Sequence, residues 1–287
     1  MKKWTIISDS SCDLRSSDLT SKYLDFITVP LSILLGEKEV VDVDELNLKQ
    51  FITDMNQNKA FPKTSCPAPG LFFNAMAIAN DNILVLTISS KLSGSYNSAL
   101  SAASQLKVEF PQKNVFVLDS LNASAGMTKI LFKIKEILEN PKYVGYSFTE
   151  LTSKFINIRN MTRINFILQD FTNLLRTGRM GKITGLIANI LSIKLVMSDN
   201  MQGEIKVLSK HLGTKKALIA LAGLPQNKIK ECGPGELLVI NHCDNLDLAK
   251  KLKEMLIEKF KLTNIKIFPT RGLASFYAGY KGLLLAY

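Results

Sequence analysis

Apolar residues recur along this chain in two rhythms. Short runs at Trp4–Ile7, Asp25–Leu31, Ile83–Ile88 (ILVLTI) and Val115–Leu118 (VFVL) read as strands. Between them, Leu48–Asn58, Gly70–Ala79, Ser93–Val108 and Ser124–Asn140 space their apolar positions three and four apart, as one face of a helix does. Strand and helix in alternation predict an α/β fold, a parallel sheet with helices on both faces. Ligands of such sheets sit beyond the carboxyl ends of the strands, where chain turns into helix. Two polar turns stand there: Asp9-Ser10-Ser11 after the first strand, and Ser89-Ser90 leading to Ser93-Gly94-Ser95 after the third.

The pattern changes after a connecting helix at Phe148–Asn160. A strand at Asn165–Leu168 precedes Phe171–Thr177, a glycine turn at Gly178-Arg179-Met180-Gly181 and a helical stretch at Ile183–Leu191. Strands near Ile193–Met197 and Ile205–Leu208 flank Asp199-Asn200, which predicts an antiparallel hairpin. Helices at Lys215–Ala222 and Leu246–Phe260, strands at Glu236–Ile240 and Ile265–Phe268, and a final apolar Gly282–Tyr287 complete a mixed α+β pattern. The 287 residues suit two domains, and the expected division is an N-terminal α/β domain at 1–160 and a C-terminal α+β domain at 161–287.

Charge is uneven across that division. Residues 1–160 carry 17 basic and 16 acidic side chains, net +1, whereas 161–287 carry 19 and 9, net +10. A basic half attracts an acidic partner, an anionic membrane surface or nucleic acid. No helix-turn-helix, zinc finger or RNP-type motif accompanies it, so a nucleic-acid partner is not expected. The longest apolar stretch, Gly185–Met197, is broken by Asn189 and Lys194 and falls short of the ~18 residues a membrane span needs. The apolar run after Met1-Lys2-Lys3 ends at Ser8-Asp9, too short for a secretory signal, and a cytoplasmic location is expected. Cys12, Cys66, Cys232 and Cys243 lack metal-ligand spacing and read as free thiols. With only His211 and His242 besides, neither a metal site nor a histidine triad is expected.

Standard catalytic signatures are missing: no G-x-x-x-x-G-K-[ST] loop, no G-x-G-x-x-G after a strand, no G-x-S-x-G elbow and no H-E-x-x-H. Hydroxyls and glycines stand at the strand–helix junctions instead, in Thr64-Ser65-Cys66-Pro67-Ala68-Pro69-Gly70 and in Ser93-Gly94-Ser95. Free amides at a helix start, together with Ser and Thr hydroxyls, make an anion site without formal positive charge. The same residues are what a helix N-cap prefers with nothing bound.

Taken in order, these segments resemble the DegV family. Ile7 to Leu14 (ISDSSCDL) looks like its opening "DSt-DL", and Val29-Pro30-Leu31-Ser32 matches "vPL", with Asp42 in the acidic stretch that follows. Thr64-Ser65-Cys66-Pro67 matches "TSQP", Ile88 to Ala99 matches "SskLSGTyqsA", and Val117 to Ser120 matches "viDS". In the second half Leu174 to Arg179 looks like "LkkGGR", Ile193-Lys194 like "nIKP", and Gly213 to Ala217 like "RgkKKA".

The resemblance implies a long-chain fatty acid, such as palmitate or oleate, in a tunnel between two domains, and no cofactor. It implies a protein that is not itself an enzyme but the acyl-binding subunit of a bacterial fatty acid kinase. A separate ATP-using subunit would phosphorylate the bound carboxyl group to acyl-phosphate, for phospholipid synthesis. By motif the carboxylate contacts fall on Thr64 and Ser93, with Ser65, Gly94 and Ser95 as neighbours. The family's closing "THTGPG" is not kept, and counting back from the terminus puts Tyr277 at its His position. A tyrosine can donate a hydrogen bond but does not exchange a proton near neutral pH as an imidazole does. Cys66 replaces the Gln of "TSQP", and Leu212 stands where the family has an Arg before Gly213. Arg179 is the candidate contact to head group or kinase, and Phe166, Leu168, Phe171 and the 183–191 helix are tunnel candidates. Burial of about 15 methylenes makes roughly 10 kcal/mol available before ordering costs, so affinity belongs to the tunnel and orientation to the hydroxyls. Two other readings are an acyl- or phosphoryl-transfer enzyme using the Ser93 and Thr64 hydroxyls directly, and a basic nucleic-acid-associated protein.

Overall fold

The computed structural model describes residues 3–57, 63–180 and 193–287. From the start, β1 (Trp4–Asp9) leads through a 3-10 turn at Ser10–Cys12 and α1 (Ser16–Leu19) to β2 (Leu24–Val29). Then come β3 (Ser32–Leu35), β4 (Lys38–Val41), α2 (Leu48–Gln57), β5 (Lys63–Ser65), α3 (Pro69–Ala77), β6 (Asn82–Thr87), α4 (Ser95–Glu109), β7 (Asn114–Asp119) and α5 (Ala125–Glu139). Four of these strands form a parallel sheet in the order β2-β1-β6-β7. Successive side chains on a strand face opposite sides. Ile7, Ile83 and Val85 therefore pack on Phe72 and Met76 of α3 and Ala99 of α4, while Ile6, Leu84 and Leu86 join the core that contains Ile130 and Leu131 of α5.

The expected strand Asp25–Leu31 is cut at Val29. Pro30 has no N–H to give a ladder, and the chain leaves the parallel sheet there. Beyond it β3 pairs antiparallel with β4 and with β5 in a separate sheet, order β4-β3-β5. Neither flanking strand has a periodic signature: Lys38–Val41 mixes charge with valine, and Lys63–Ser65 is three residues long.

The second half opens with α6 (Phe148–Met161), started by a capping box in which Ser147 Oγ accepts the Glu150 N–H (3.3 Å) and the Glu150 carboxylate accepts the Ser147 N–H (2.8 Å). It continues through β8 (Ile164–Ile167), α7 (Thr172–Arg176), β9 (Ile193–Asp199), β10 (Ile205–Leu212), α8 (Gly213–Gly223), α9 (Gln226–Cys232), β11 (Leu238–His242), α10 (Leu246–Phe260), β12 (Ile265–Pro269), α11 (Gly272–Ala278) and β13 (Leu283–Ala286). The six strands make one mixed sheet, order β10-β9-β8-β13-β11-β12, and β9 and β10 form the expected antiparallel hairpin. Leu218 and Leu221 of α8 and Leu252 and Leu256 of α10 cover one face. The other face, with Phe166, Met197 and Leu284, shares a continuous core with Trp4, Leu84, Leu131 and Phe155 of the first half. Among the described residues no helix is long and apolar enough to cross a membrane. Gly181 of the glycine turn and the expected helix Ile183–Leu191 lie outside the described residues.

Candidate ligand site

A cavity of about 320 Å³ lies between the two larger sheets. It falls at the low end of the roughly 300–1,000 Å³ typical of sites that bury a small molecule. One wall is made by the loops beyond the carboxyl ends of the parallel strands: Ser11 after β1, Ile88 to Gly94 after β6, and Leu121 to Ser124 after β7. The facing wall is apolar. Ile164, Phe166 and Leu168, alternate residues of β8 and its end, line it along about 13 Å of extended chain.

The hydroxyls gather towards the Leu168 end, where α11, which carries Tyr277, meets α7 through a 2.8 Å bond from Asn173 Nδ2 to Phe276 O. Thr64 lies in β5, held by its pairing with Ile33, and its Oγ1 shares a 2.8 Å hydrogen bond with Tyr277 Oη, 213 residues away in sequence. Ser93 lines the same cavity with Ser65, Cys66 and Gly94. The two turns touch: a Cβ at Gly94 would sit 3.1 Å from Cys66 Sγ. The N-cap residues of α3 and α4 are Ala68 and Gly94, without side-chain bonds, and Ser93 Oγ accepts the N–H of Ser95, the first residue of α4 (3.3 Å). Ser95 does not line the cavity. It is buried behind Ser93, sharing a 3.0 Å bond between hydroxyls. Arg179 lines the cavity but directs Nε to Leu92 O (3.3 Å) and Nη1 to Thr177 O (2.6 Å), so it braces the peptide before Ser93. It is the only cation among the described lining residues. Of the tunnel candidates, Phe166 and Leu168 line the cavity, whereas Phe171 packs on the neighbouring core.

The Ile164 end is acidic. Asp199 and Glu204 of the β9–β10 hairpin line it, and Asp199 accepts the N–H of Met201 (2.8 Å) and of Ile164 (3.4 Å).

Behind the hydroxyls lies a network of buried charge that sequence patterning does not assemble. Burial pushes the Asp9 carboxyl up to about 6, against hydrogen bonds from Ser11 and from Ile88 N–H (2.8 Å). Burial likewise pushes Asp13 up to about 7, although it accepts from Arg271 N–H (2.7 Å), Ser124 Oγ and Asn241 Nδ2 (2.7 Å). Asp13 and Asp42 fall within or beside the quoted motifs, but Arg271 and Asn241 carry no local signal. Only the folded chain brings them to the N-terminal loop. Among the described residues no cluster of three or more His, Cys, Asp or Glu can hold a metal ion, and all four cysteines are free.

A family model described as an uncharacterised protein of the DegV family matches residues 3–286. The chain belongs to the DegV family. A DegV domain-containing protein of Streptococcus gordonii is 34% identical over 284 residues, covering 99% of this chain and 98% of the relative. Among solved structures, the Streptococcus pneumoniae fatty acid kinase (Fak) B3 protein loaded with linoleic acid is 31% identical with a TM-score of 0.90, covering 99% of each chain. A DegV protein of Ruminococcus gnavus with vaccenic acid is 27% identical, also with a TM-score of 0.90 and 99% of each chain covered. The parallel sheet and separate mixed sheet of this chain are thus the DegV architecture.

Proposed function

We propose that this DegV protein binds a long-chain fatty acid in the cavity and presents its carboxylate to a separate ATP-using kinase subunit, which makes acyl-phosphate for phospholipid synthesis in the cytoplasm. The observation that carries the reading is an apolar cavity with uncharged hydroxyls at one end, those of Thr64, Ser93 and Tyr277. Two solved structures of high similarity, the Fak B3 protein and the Ruminococcus gnavus DegV protein, hold linoleic and vaccenic acid. In this reading residues 1–160 supply most of the carboxylate contacts and 161–287 cover the chain, with Tyr277 reaching across. Ser65 and Gly94 add contacts at the exposed rim, and Ser95 orients Ser93 from behind. A carboxylate held chiefly by hydroxyl dipoles is not fully neutralised and remains a nucleophile for a phosphoryl donor. The absence of a phosphate-binding loop leaves ATP to the partner. Arg179 serves the Ser93 loop, the head group or the docked kinase, and the basic second half suits an acidic partner face or a transient contact with an anionic membrane.

Denaturing lipid extraction followed by mass spectrometry of protein purified from cells tests the first step, with recovery of a fatty acid as the expected result. Failure to recover any, together with failure to bind added palmitate or oleate, sinks the proposal. The second step is tested with ATP. The isolated chain should make no acyl-phosphate, and a fatty acid kinase ATP-binding subunit added to the loaded chain should restore it. Turnover by the isolated chain, lost in Ser93→Ala, would establish the enzyme reading instead.

A further inference from the structure

We infer that Asp42 and Arg271 are positioning residues for the Tyr277 hydroxyl, and through it set how the site discriminates a carboxylate from other head groups. The inference rests on the fatty acid reading above. Neither residue lines the cavity, whereas Leu273, Ala274, Tyr277 and Ala278 of α11 do. The contacts of the pair with the start of α11 give it a route to the ligand through that helix.

The small sheet β4-β3-β5 is tied to both partners of the Thr64–Tyr277 bond. Ile33 of β3 pairs with Thr64 on one side and with Val40 of β4 on the other. Two residues beyond Val40, the buried carboxylate of Asp42 accepts the N–H of Gly272 (2.9 Å) and of Leu273 (3.0 Å), the first two residues of α11. The strands β4, which leads into Asp42, and β5, which carries Thr64, stand two inter-strand spacings apart, about 10 Å, and α11 bridges that interval from its anchored start to Tyr277. The circuit closes where Tyr277 meets Thr64.

Arg271 fixes the anchor in space. It is buried, and Nη2 donates to Asp42 O (2.7 Å) while Nη1 donates to Leu14 O (2.8 Å) and pairs with Asp44 Oδ1 (2.6 Å). Its backbone N–H donates to Asp13 Oδ1 (2.7 Å), which ties the same point to the N-terminal loop. The approach is close enough to require glycine at 272, since a Cβ there would stand 2.8 Å from Asp42 Oδ1 and 2.7 Å from Leu46 Cδ2. Asparagine at 42 would offer one acceptor and one donor to two N–H groups, so one end of α11 would meet a donor facing a donor. Lysine at 271 would keep the charge but could not fork to three oxygens.

The test compares binding of radiolabelled palmitate with that of hexadecanol, which has the same chain length and no carboxylate. Asp42→Asn is expected to weaken palmitate about tenfold and hexadecanol by less than about twofold. Arg271→Lys should act in the same direction, by about threefold. In a Tyr277→Phe background, Asp42→Asn should lower the palmitate-to-hexadecanol ratio no further, because its effect runs through the missing hydroxyl. A purely structural ion pair would weaken both ligands in parallel, or change neither, and either outcome overturns the inference. Should Asp42→Asn not fold, the same ratio measured in Arg271→Lys decides. Wild-type protein that binds neither ligand sinks the fatty acid reading and this inference together. Wild-type preference for palmitate that both variants retain sinks this inference alone.

Discussion

Asp13 is fully enclosed, and burial raises its carboxyl to about 7 while the hydrogen bonds from Arg271, Ser124 and Asn241 pull the other way. In the unfolded chain the same group ionises near ~3.9. Between those values the folded protein holds a proton that the unfolded chain has released, so its contribution to stability is complete below about pH 4 and is lost as pH rises to about 7. Asp9, raised to about 6 by burial, acts in the same direction over the lower part of that window. Stability from urea denaturation should therefore fall from about pH 4 to about pH 7 and then level off, with a slope of up to about 1.4 kcal/mol per pH unit for each group. Asp13→Asn should flatten the upper part of the slope, and an unchanged profile in that variant would assign the dependence elsewhere. At this scale Thr64 and Ser93 are legible because each stands in a short run of turn residues. Arg271 is not legible, because what distinguishes it is the set of oxygens around it, drawn from Leu14, Asp42 and Asp44.

Between elements, α5 and the segment entering β11 are joined by an ion pair from Lys129 Nζ to Glu236 Oε1 (2.6 Å), with the lysine side chain only 3% exposed. Burial lowers the Lys129 ammonium to about 8 against the pull of Glu236. Glu236→Leu would leave that ammonium buried and unpaired, and is expected to cost about 3–5 kcal/mol in chemical denaturation. The double variant Lys129→Met with Glu236→Leu should recover most of the loss, since two apolar groups of similar size need no compensation there. Absence of recovery would show that the pair matters for more than its own charge balance. Most helices and long strands at this scale follow from periodicity, because each buries a stripe or a face of its own. The strands β4 and β5 do not, for they are short and take their place only from pairing with β3.

For the whole molecule, the cavity between the two larger sheets makes ligand binding a property of both halves. Palmitate at about 100 times its Kd should raise stability by about 2.7 kcal/mol, and the continuous core predicts that both halves respond in one shifted unfolding transition. Two transitions, only one of them shifted by palmitate, would show halves that unfold separately. The +10 net charge of residues 161–287 stands apart from this, since the hydroxyl end is built mainly from the nearly neutral first half and contains Arg179 as its one described cation. The linear order of residues was enough to determine the alternation of strand and helix, the β9–β10 hairpin and the hydroxyl turns, because periodicity and turn chemistry act over a few neighbouring positions. Tertiary structure alone decided that Tyr277 meets Thr64, that Ser95 lies behind Ser93, and that Asp13, Asp42 and Arg271 share one buried network. Those contacts join residues more than two hundred positions apart, or depend on which way a side chain faces once the sheets have closed over it, and no local pattern encodes either.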